Sequence, residues 1–274
     1  MEVYLASAAG LLSWCGKWRK IPTPLAHPTL LAACGADVAL ADSVNRLLYR
    51  QGRVSTLPPG VEVLRCWRNQ LLTLSSETNC LTLYDAHDYP LVTSPAGIRP
   101  CDCVVVDCQV IVCGCEDGCL HIFSLPDLRE IAAYPVPGCP MRVAADGGVL
   151  TCLSLLSPDP PQTLLFRDFA PVALLPGWCG AVTIADDHTI WAGVGEQLLH
   201  FPLDSVVPDV QLGGFGLIRF LSCQQSKLLI SDPWAGRCLL MGTTPPYAPR
   251  QLYAGECGGC CFASCRKGTL PNWK

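Results

Sequence analysis

The chain has 274 residues and a formal net charge of −4, and half of its residues are hydrophobic while 15% are charged. Its 23 acidic and 19 basic side chains are mixed along the sequence, so no basic stripe exists to bind a phosphate backbone, and nucleic acid is not a predicted partner. No apolar run approaches the roughly 20 residues that cross a bilayer, so no membrane span is predicted.

A hairpin-like unit recurs seven times. Each copy is an apolar strand, a short polar or Gly-containing turn, and a second strand that ends in paired aliphatics and usually an aromatic. The copies run from Val3 to Trp14, Val38 to Tyr49, Leu71 to Tyr84, Val110 to Phe123, Val149 to Phe166, Thr189 to Phe201 and Leu228 to Met241. Their last residues lie 35, 35, 39, 43, 35 and 40 positions apart. Such a period predicts the four-stranded blades of a β-propeller.

A second feature recurs in the same phase, namely a Pro- or Gly-containing loop followed by a short strand of small residues. These strands are Leu30 to Ala33, Val61 to Cys66, Asp102 to Val106, Met141 to Ala145, Ala181 to Ala185, Leu217 to Ser222 and Gly259 to Ser264. Small residues suit the strand nearest a propeller axis, where space is tight. We therefore predict that they are the inner, or A, strands, and that one more strand after each hairpin completes the order A, B, C, D.

The two ends of the sequence predict how the ring closes. The chain starts on a B strand and its last strand is of the A type, so we expect the C-terminal strand to pair beside the N-terminal one and remove an exposed edge. The prediction is an all-β, seven-bladed β-propeller with four-stranded antiparallel blades, forming one domain over 1–274. The predicted repeats are 1–27, 28–59, 60–97, 98–138, 139–178, 179–215 and 216–256, with a closing strand at 257–265.

The 19 cysteines favour a cytoplasmic protein. Disulfide frameworks belong to short secreted chains, whereas this chain is long and apolar and its cysteine number is odd, so we expect reduced, buried thiols. The apolar stretch from Leu5 to Leu12 resembles a weak signal peptide, but Glu2 stands where a basic residue is usual. The N-terminal blade explains the same stretch.

Two cysteine clusters are candidate metal sites. Cys101 and Cys103 are two residues apart, which on a strand places both thiols on one face. Structural zinc prefers two C-x(2–4)-C pairs on loops. In the cluster from Cys101 to Cys119 only Cys115-x3-Cys119 approaches that spacing, and in the cluster from Cys257 to Cys265 the pair Cys257-x2-Cys260 has the spacing of half a zinc site or a redox pair. Apolar packing is the simpler interpretation. No metal and no cofactor is predicted, and zinc or an iron–sulfur cluster stays an alternative.

Two stretches resemble the YVTN-type β-propeller repeat. Pro100 precedes the strands of one repeat, and Leu81, Leu83, Tyr84 and Asp85 stand where that family has a V-x-V-I-D-like strand. The sequence departs from the consensus, because the sites that match Asp85 are occupied by Arg50, Ser124, Arg167 and Pro202. The resemblance implies a ligand- or protein-binding scaffold, and it carries over no catalytic residue.

The predicted binding surface is the face formed by the B–C and D–A loops, here called the upper face. It would carry His27, Asp42, Arg99, Glu116, Trp178, Phe215, Asp232 and Trp234. The two tryptophans are the leading candidates, because a loop aromatic either caps blade packing or offers a stacking surface. The five histidines fall on different faces and no nucleophile or phosphate-loop motif is present, so no catalytic residue is predicted.

The leading functional hypothesis is a non-enzymatic, monomeric, cytoplasmic scaffold that binds a protein or small-molecule ligand. The main alternative is a metal-dependent enzyme of the lactonase or hydrolase kind with its site on the axis. That enzyme needs several acidic or His side chains to meet on the axis, and Asp42, Glu116 and Asp232 are the acidic candidates. A secreted or envelope sensor is a third possibility, and it predicts oxidised cysteines.

Overall fold

The chain folds into seven four-stranded antiparallel sheets arranged in a ring, as a computed structural model shows for residues 2–34, 37–146 and 148–262. Each inner strand contacts the inner strands of both neighbouring sheets, which closes the ring around a central axis. No helix that could span a membrane occurs within those ranges. The predicted seven-bladed β-propeller is therefore confirmed.

The chain builds the blades in order. The first blade contains β1 (Val3–Ser7), β2 (Gly10–Trp14) and β3 (Trp18–Ile21). The second and third blades are β4 (Leu30–Cys34), β5 (Asp37–Asp42), β6 (Leu47–Arg50), β7 (Arg53–Thr56), β8 (Val61–Trp67), β9 (Gln70–Ser75), β10 (Cys80–Tyr84) and β11 (Pro90–Pro95). The fourth and fifth are β12 (Pro100–Val106), β13 (Gln109–Gly114), β14 (Cys119–Ser124), β15 (Glu130–Pro135), β16 (Cys139–Asp146), β17 (Val149–Pro158), β18 (Pro161–Arg167) and β19 (Ala170–Pro176). The last two are β20 (Cys179–Ile184), β21 (Ile190–Val194), β22 (Gln197–Phe201), β23 (Val210–Gly213), β24 (Phe220–Gln224), β25 (Lys227–Asp232), β26 (Arg237–Gly242) and β27 (Arg250–Ala254), and β28 (Cys257–Phe262) returns to the first blade.

Strand β28 closes the ring as predicted. It pairs antiparallel with β1, with Phe262 opposite Val3 and Cys260 opposite Leu5, and becomes the inner strand of the first blade. The last residues of the predicted closing strand, 263–265, lie outside the described part of the chain. The first blade thus joins the two ends of the sequence, and its core includes apolar residues from both.

Five inner strands carry a β-bulge near their first residue. The extra residues in β8, β12, β16 and β20 are Glu62, Cys101, Met141 and Gly180, and the bulge of β28 lies between Cys257 and Cys260. A bulge inserts an unpaired residue and changes which side chains share a face. The expectation that Cys101 and Cys103 lie on one face is wrong for this reason. Cys103 packs between the third and fourth blades, and Cys101 packs between the fourth and fifth.

A buried arginine, Arg50, and a half-buried one, Arg167, join neighbouring blades on the lower face, which is formed by the A–B and C–D turns. Arg50, at the end of β6, donates Nη1 to the carbonyl oxygen of Asp85 at 3.2 Å and forms a buried salt bridge with Asp88 at 3.4 Å. Arg167 occupies the same place at the end of β18, and its Nη2 donates to the carbonyl oxygen of Pro202 at 3.0 Å. In both cases the acceptor stands 35 residues further along the chain, so the repeat itself positions the contact.

One pair of cysteines departs from the expectation of reduced thiols. Cys34 and Cys66 lie near the ends of the adjacent inner strands β4 and β8, with their Cα atoms 5.4 Å apart, and form a disulfide. That Cα separation is usual for a disulfide. Sixteen other cysteines within the described ranges are free.

Candidate functional site

A buried polar residue lies on five of the B strands near the upper face. Ser7, Asp42, Ser75 and Asp232 are the last residues of β1, β5, β9 and β25, and Ser154 lies within β17. Each side chain hydrogen-bonds nearby turn or loop backbone. In four of the five blades, the bonds reach the D–A loop in front of the inner strand. These residues hold the loops of the upper face in place.

Asp42 and Asp232, two of the predicted binding residues, belong to this set. Both are fully buried. Asp42 accepts hydrogen bonds from the backbone N–H of His27 at 2.8 Å and of Asn45 at 2.9 Å. Burial raises the pKa of Asp42, but the hydrogen bonds from Asn45 and His27 outweigh burial, so the net pKa is lowered.

Asp232 repeats this arrangement in the seventh blade. Its carboxylate accepts the Gly216 backbone N–H at 3.1 Å and the Arg237 Nε–H at 3.0 Å. A Cβ on Gly216 would lie 2.8 Å from Asp232 Oδ1 and 2.8 Å from Trp234 Cβ, so only glycine fits there. Both carboxylates are thus engaged in loop contacts and do not reach the solvent.

The two tryptophans are exposed on the upper face. Trp234 follows β25 in a B–C loop and is 80% exposed, and Trp178 precedes β20 in a D–A loop and is 47% exposed. Val44 and Ile98, in other loops of the same face, are also exposed. The upper face therefore offers apolar contact area at several points around the ring.

The other predicted binding residues lie on the same face in different surroundings. Arg99 and Glu116 form an exposed salt bridge of 3.1 Å, and the first cause of the raised pKa of Arg99 is the hydrogen bond to Glu116. Surface pairs of this kind contribute little to stability. Phe215 is buried beneath Arg237, whose guanidinium carbon lies 5.5 Å from the ring centroid. His27 is exposed, and its backbone rather than its ring makes the contact to Asp42.

An axial channel of about 730 Å³ opens between the inner strands. Its lining includes three arginines, Arg65, Arg142 and Arg219, together with the acidic residues Glu62 and Asp102 near the upper face and Asp146 at the lower-face end of β16. Arg65 pairs with Asp102, since its Nη2 lies 2.9 Å from Oδ1. Burial raises the pKa of Asp102, against the lowering effect of Arg65 and Arg142.

Arg65 and Arg142 also tie adjacent inner strands together. The Nε of Arg65 donates to the carbonyl oxygen of Cys103 at 2.8 Å, and the Nε of Arg142 donates to that of Gly180 at 2.8 Å. Each side chain spans 38 positions of sequence, which is one blade. One donor of each guanidinium group therefore serves to join adjacent blades.

Thiols cluster beside the channel without forming a metal-binding group. Cys101 Sγ lies 3.2 Å from the carbonyl oxygen of Pro140, and Cys115 Sγ lies 3.5 Å from Met141 Sδ. The neighbouring Cys101 thiol and burial raise the pKa of Cys115. Among the described residues, no group of three or more His, Cys, Asp or Glu side chains is arranged to hold a metal ion.

The histidines do not converge on the channel. His121 bridges Asp117 at 3.0 Å and Glu130 at 2.8 Å in the fourth blade. His200 lies in the sixth blade, against Asp209 at 2.5 Å and the Trp191 ring. The contacts of each histidine thus lie within its own blade.

Comparison with known proteins supports the fold alone. No protein-family profile and no curated protein matches the chain. A functionally unknown protein from Desulfotomaculum acetoxidans is similar in structure, with a TM-score of 0.72 and 9% identity over 96% of this chain and 99% of that one. The RRP9 WD40 repeats match with a TM-score of 0.68 and 13% identity, covering 84% and 83% of the two chains. A catalytically inactive virginiamycin B lyase from Staphylococcus aureus, with quinupristin, matches with a TM-score of 0.65 and 7% identity, covering 85% and 87%.

The charged wall of the channel was not predicted from the sequence. The signal was present, because Arg65 and Arg142 interrupt inner strands that otherwise consist mostly of small or apolar residues. Arg219 was placed on a predicted strand from Leu217, whereas β24 begins at Phe220. Only the closed ring shows that these positions face one cavity.

Proposed function

We propose that this propeller is a non-enzymatic scaffold that binds a partner protein through its upper face. Trp234 carries the proposal, because it is 80% exposed and the residue before it, Pro233, lines the axial channel. Tryptophan supplies large contact area and is enriched among the residues that dominate binding energy at interfaces. An indole held at the channel mouth by a rigid blade is suited to that role.

The surroundings of Trp234 support a fixed binding surface. Asp232 holds the loop from below through Gly216 and Ala235, so the loop is positioned before any partner arrives. A preorganised surface loses less conformational entropy on binding. Trp178, Val44 and Ile98 extend the apolar contact area to other blades.

The enzyme alternative has less support from the contacts. A metal-dependent axial site needs its carboxylates to meet, but Asp42 and Asp232 are fully buried at the ends of strands in different blades, and Glu116 pairs with Arg99. The WD40 repeats and the lyase share this fold, so fold similarity alone favours neither function. The contacts of the upper face therefore support the scaffold proposal.

A monomeric, cytoplasmic protein is part of the same proposal. The free cysteines within the described ranges far outnumber the single disulfide pair, which fits a reducing compartment. The resemblance to the YVTN-type repeat is also part of this proposal, because that resemblance implies a binding scaffold.

The experiment is a quantitative comparison of captured proteins. A Trp178→Ala/Trp234→Ala variant should lose a specific partner that the unmodified protein retains, by about 10-fold or more if each indole contributes as interface tryptophans commonly do. The matched control is Tyr89→Ala/Val207→Ala, which removes two exposed side chains from the lower face. Equal capture by both double variants and the unmodified protein would contradict the proposal.

A further inference from the structure

Two arginines face the axial channel without an acidic partner. Arg142 donates Nε to Gly180 and Nη1 to the Met141 carbonyl oxygen, and its Nη2 bonds to no described residue. The Arg219 backbone N–H donates to the Ser231 carbonyl oxygen, while its guanidinium makes no hydrogen bond within the described ranges. Neither guanidinium forms a salt bridge with a described residue, unlike Arg65 with Asp102.

Both side chains line the same cavity, and the backbone of Gly180, which accepts the Arg142 Nε–H, lies against the carbonyl oxygen of Ile218, the residue before Arg219. The pKa of Arg219 is lowered by burial and next by the positive charge of Arg142. Arg142 is half-buried and Arg219 is exposed, and both line the channel. An anion between two like charges would relieve their repulsion. The arrangement therefore leaves guanidinium donors of both residues open to the channel.

Three acidic residues line the channel, of which Asp146 lies at the lower-face end of β16, and Asp102 and Glu62 are engaged by other groups. Asp102 accepts hydrogen bonds from Arg65 and from the backbone N–H groups of Cys103 and Val143. Glu62 accepts the Ser76 hydroxyl at 2.6 Å and is exposed. Both help to neutralise the wall at a distance, but neither reaches the free donors of Arg142 and Arg219.

We infer that the axial channel binds a small molecule through a phosphate group held between the guanidinium groups of Arg142 and Arg219. Guanidinium donors match phosphate oxygens in geometry and charge, and a phosphate monoester carries close to two negative charges at pH 7, about one for each arginine. A channel of about 730 Å³ falls within the range of small-molecule sites. The site lies in the channel and does not use the tryptophans of the proposed function.

The experiment titrates the intact protein with inorganic phosphate at constant ionic strength, adjusted with potassium chloride, and follows binding by calorimetry. We expect one phosphate to bind per chain. Arg219→Gln should weaken binding by about 10-fold or more, because charge-assisted hydrogen bonds are lost. Arg219 is the residue to replace because its side chain holds no described contact, whereas Arg142→Gln also removes the link to Gly180.

The matched control is Arg53→Gln, an exposed arginine on the outer strand β7 with the same change in net charge. The affinity of this variant for phosphate should stay within about 2-fold of the unmodified protein, because Arg53 does not line the channel and an isolated surface charge is screened by salt. Equal weakening by Arg53→Gln and Arg219→Gln, or no binding at about ten millimolar phosphate, would overturn the inference. The Trp178→Ala/Trp234→Ala variant should bind phosphate normally, so the failure of either proposal can be told from the failure of the other.

Discussion

The lower-face seams and the axial channel use arginine in opposite ways. At the seam, Arg50 is 2% exposed, and its guanidinium reaches Asp88 and two carbonyl oxygens of the next blade. In the channel, Arg219 is exposed and its guanidinium has no described partner. The first arginine completes the fold, and the second leaves donors available to a ligand. The difference teaches that the contacts of a charged residue, rather than its type, indicate whether it serves stability or binding.

The same contrast applies to the acidic residues of the upper face. Asp42 and Asp232 are buried and fully hydrogen-bonded by loop backbone and by Asn45 or Arg237. Trp234, two residues after Asp232, is exposed. Within one short loop, the carboxylate fixes the backbone and the indole faces the solvent.

The largest effect is expected at the seam. Arg50→Ala should lower the free energy of unfolding by about 3 to 5 kcal/mol, because it leaves Asp88 buried without its partner. Urea denaturation measures the loss. Arg53→Ala, on the exposed strand β7, is the control and should change the free energy by less than about 0.5 kcal/mol. A similar loss of unfolding free energy in both variants would mean that the buried contacts of Arg50 contribute no more to stability than an exposed arginine does.

A smaller, pH-dependent effect is expected at the upper face. Asp42→Asn should cost about 2 kcal/mol at pH 7, because hydrogen bonds to a buried carboxylate are weakened. The folded pKa of Asp42 lies below its ordinary value of 3.8, so the stabilisation is present above about pH 4 and is lost as the pH falls through the folded pKa. The difference in unfolding free energy between the two proteins should therefore shrink in acid.

Asp204→Asn, at an exposed lower-face position, is the control for that pH series. Its unfolding free energy should follow that of the unmodified protein at every pH, since no buried hydrogen bond is changed. The difference in unfolding free energy between the unmodified protein and Asp42→Asn should not stay constant down to pH 2. A constant difference would mean that the Asp42 carboxylate is not charged in the folded protein.

The smallest effect on stability is expected in the channel. Arg219→Gln should change the free energy of unfolding by no more than about 0.5 kcal/mol, since its guanidinium holds no described contact and its repulsion with Arg142 is relieved. Thermal unfolding without phosphate measures the change. A loss as large as that of Arg50→Ala would show that Arg219 is a structural arginine and would remove the contrast between the two regions.

Much of the fold could be predicted from the sequence because it repeats. The period of the hairpins predicted seven blades, and the unmatched strand types at the two ends predicted the pairing of β28 with β1. The bulge at Cys101 could not be predicted, because the alternation of side chains along β12 gives no sign of an inserted residue. The prediction that Cys101 and Cys103 share a face of the strand was therefore wrong.

The candidate site was less accessible to sequence reasoning. Loop position placed Trp178 and Trp234 on the upper face, but it could not tell the exposed indoles from the buried carboxylates of Asp42 and Asp232. That distinction depends on backbone N–H groups from loops far apart in the sequence. Arg142 and Arg219 belong to different blades, and only closure of the ring places both on one cavity.

A crystal structure of the protein grown with inorganic phosphate tests the contrast between structural and available arginines most directly. We predict tetrahedral density within hydrogen-bond distance of the guanidinium groups of Arg142 and Arg219, with Arg50 still bound to Asp88. A channel that holds only water, with Arg219 paired to Glu62 or Asp102, would contradict it.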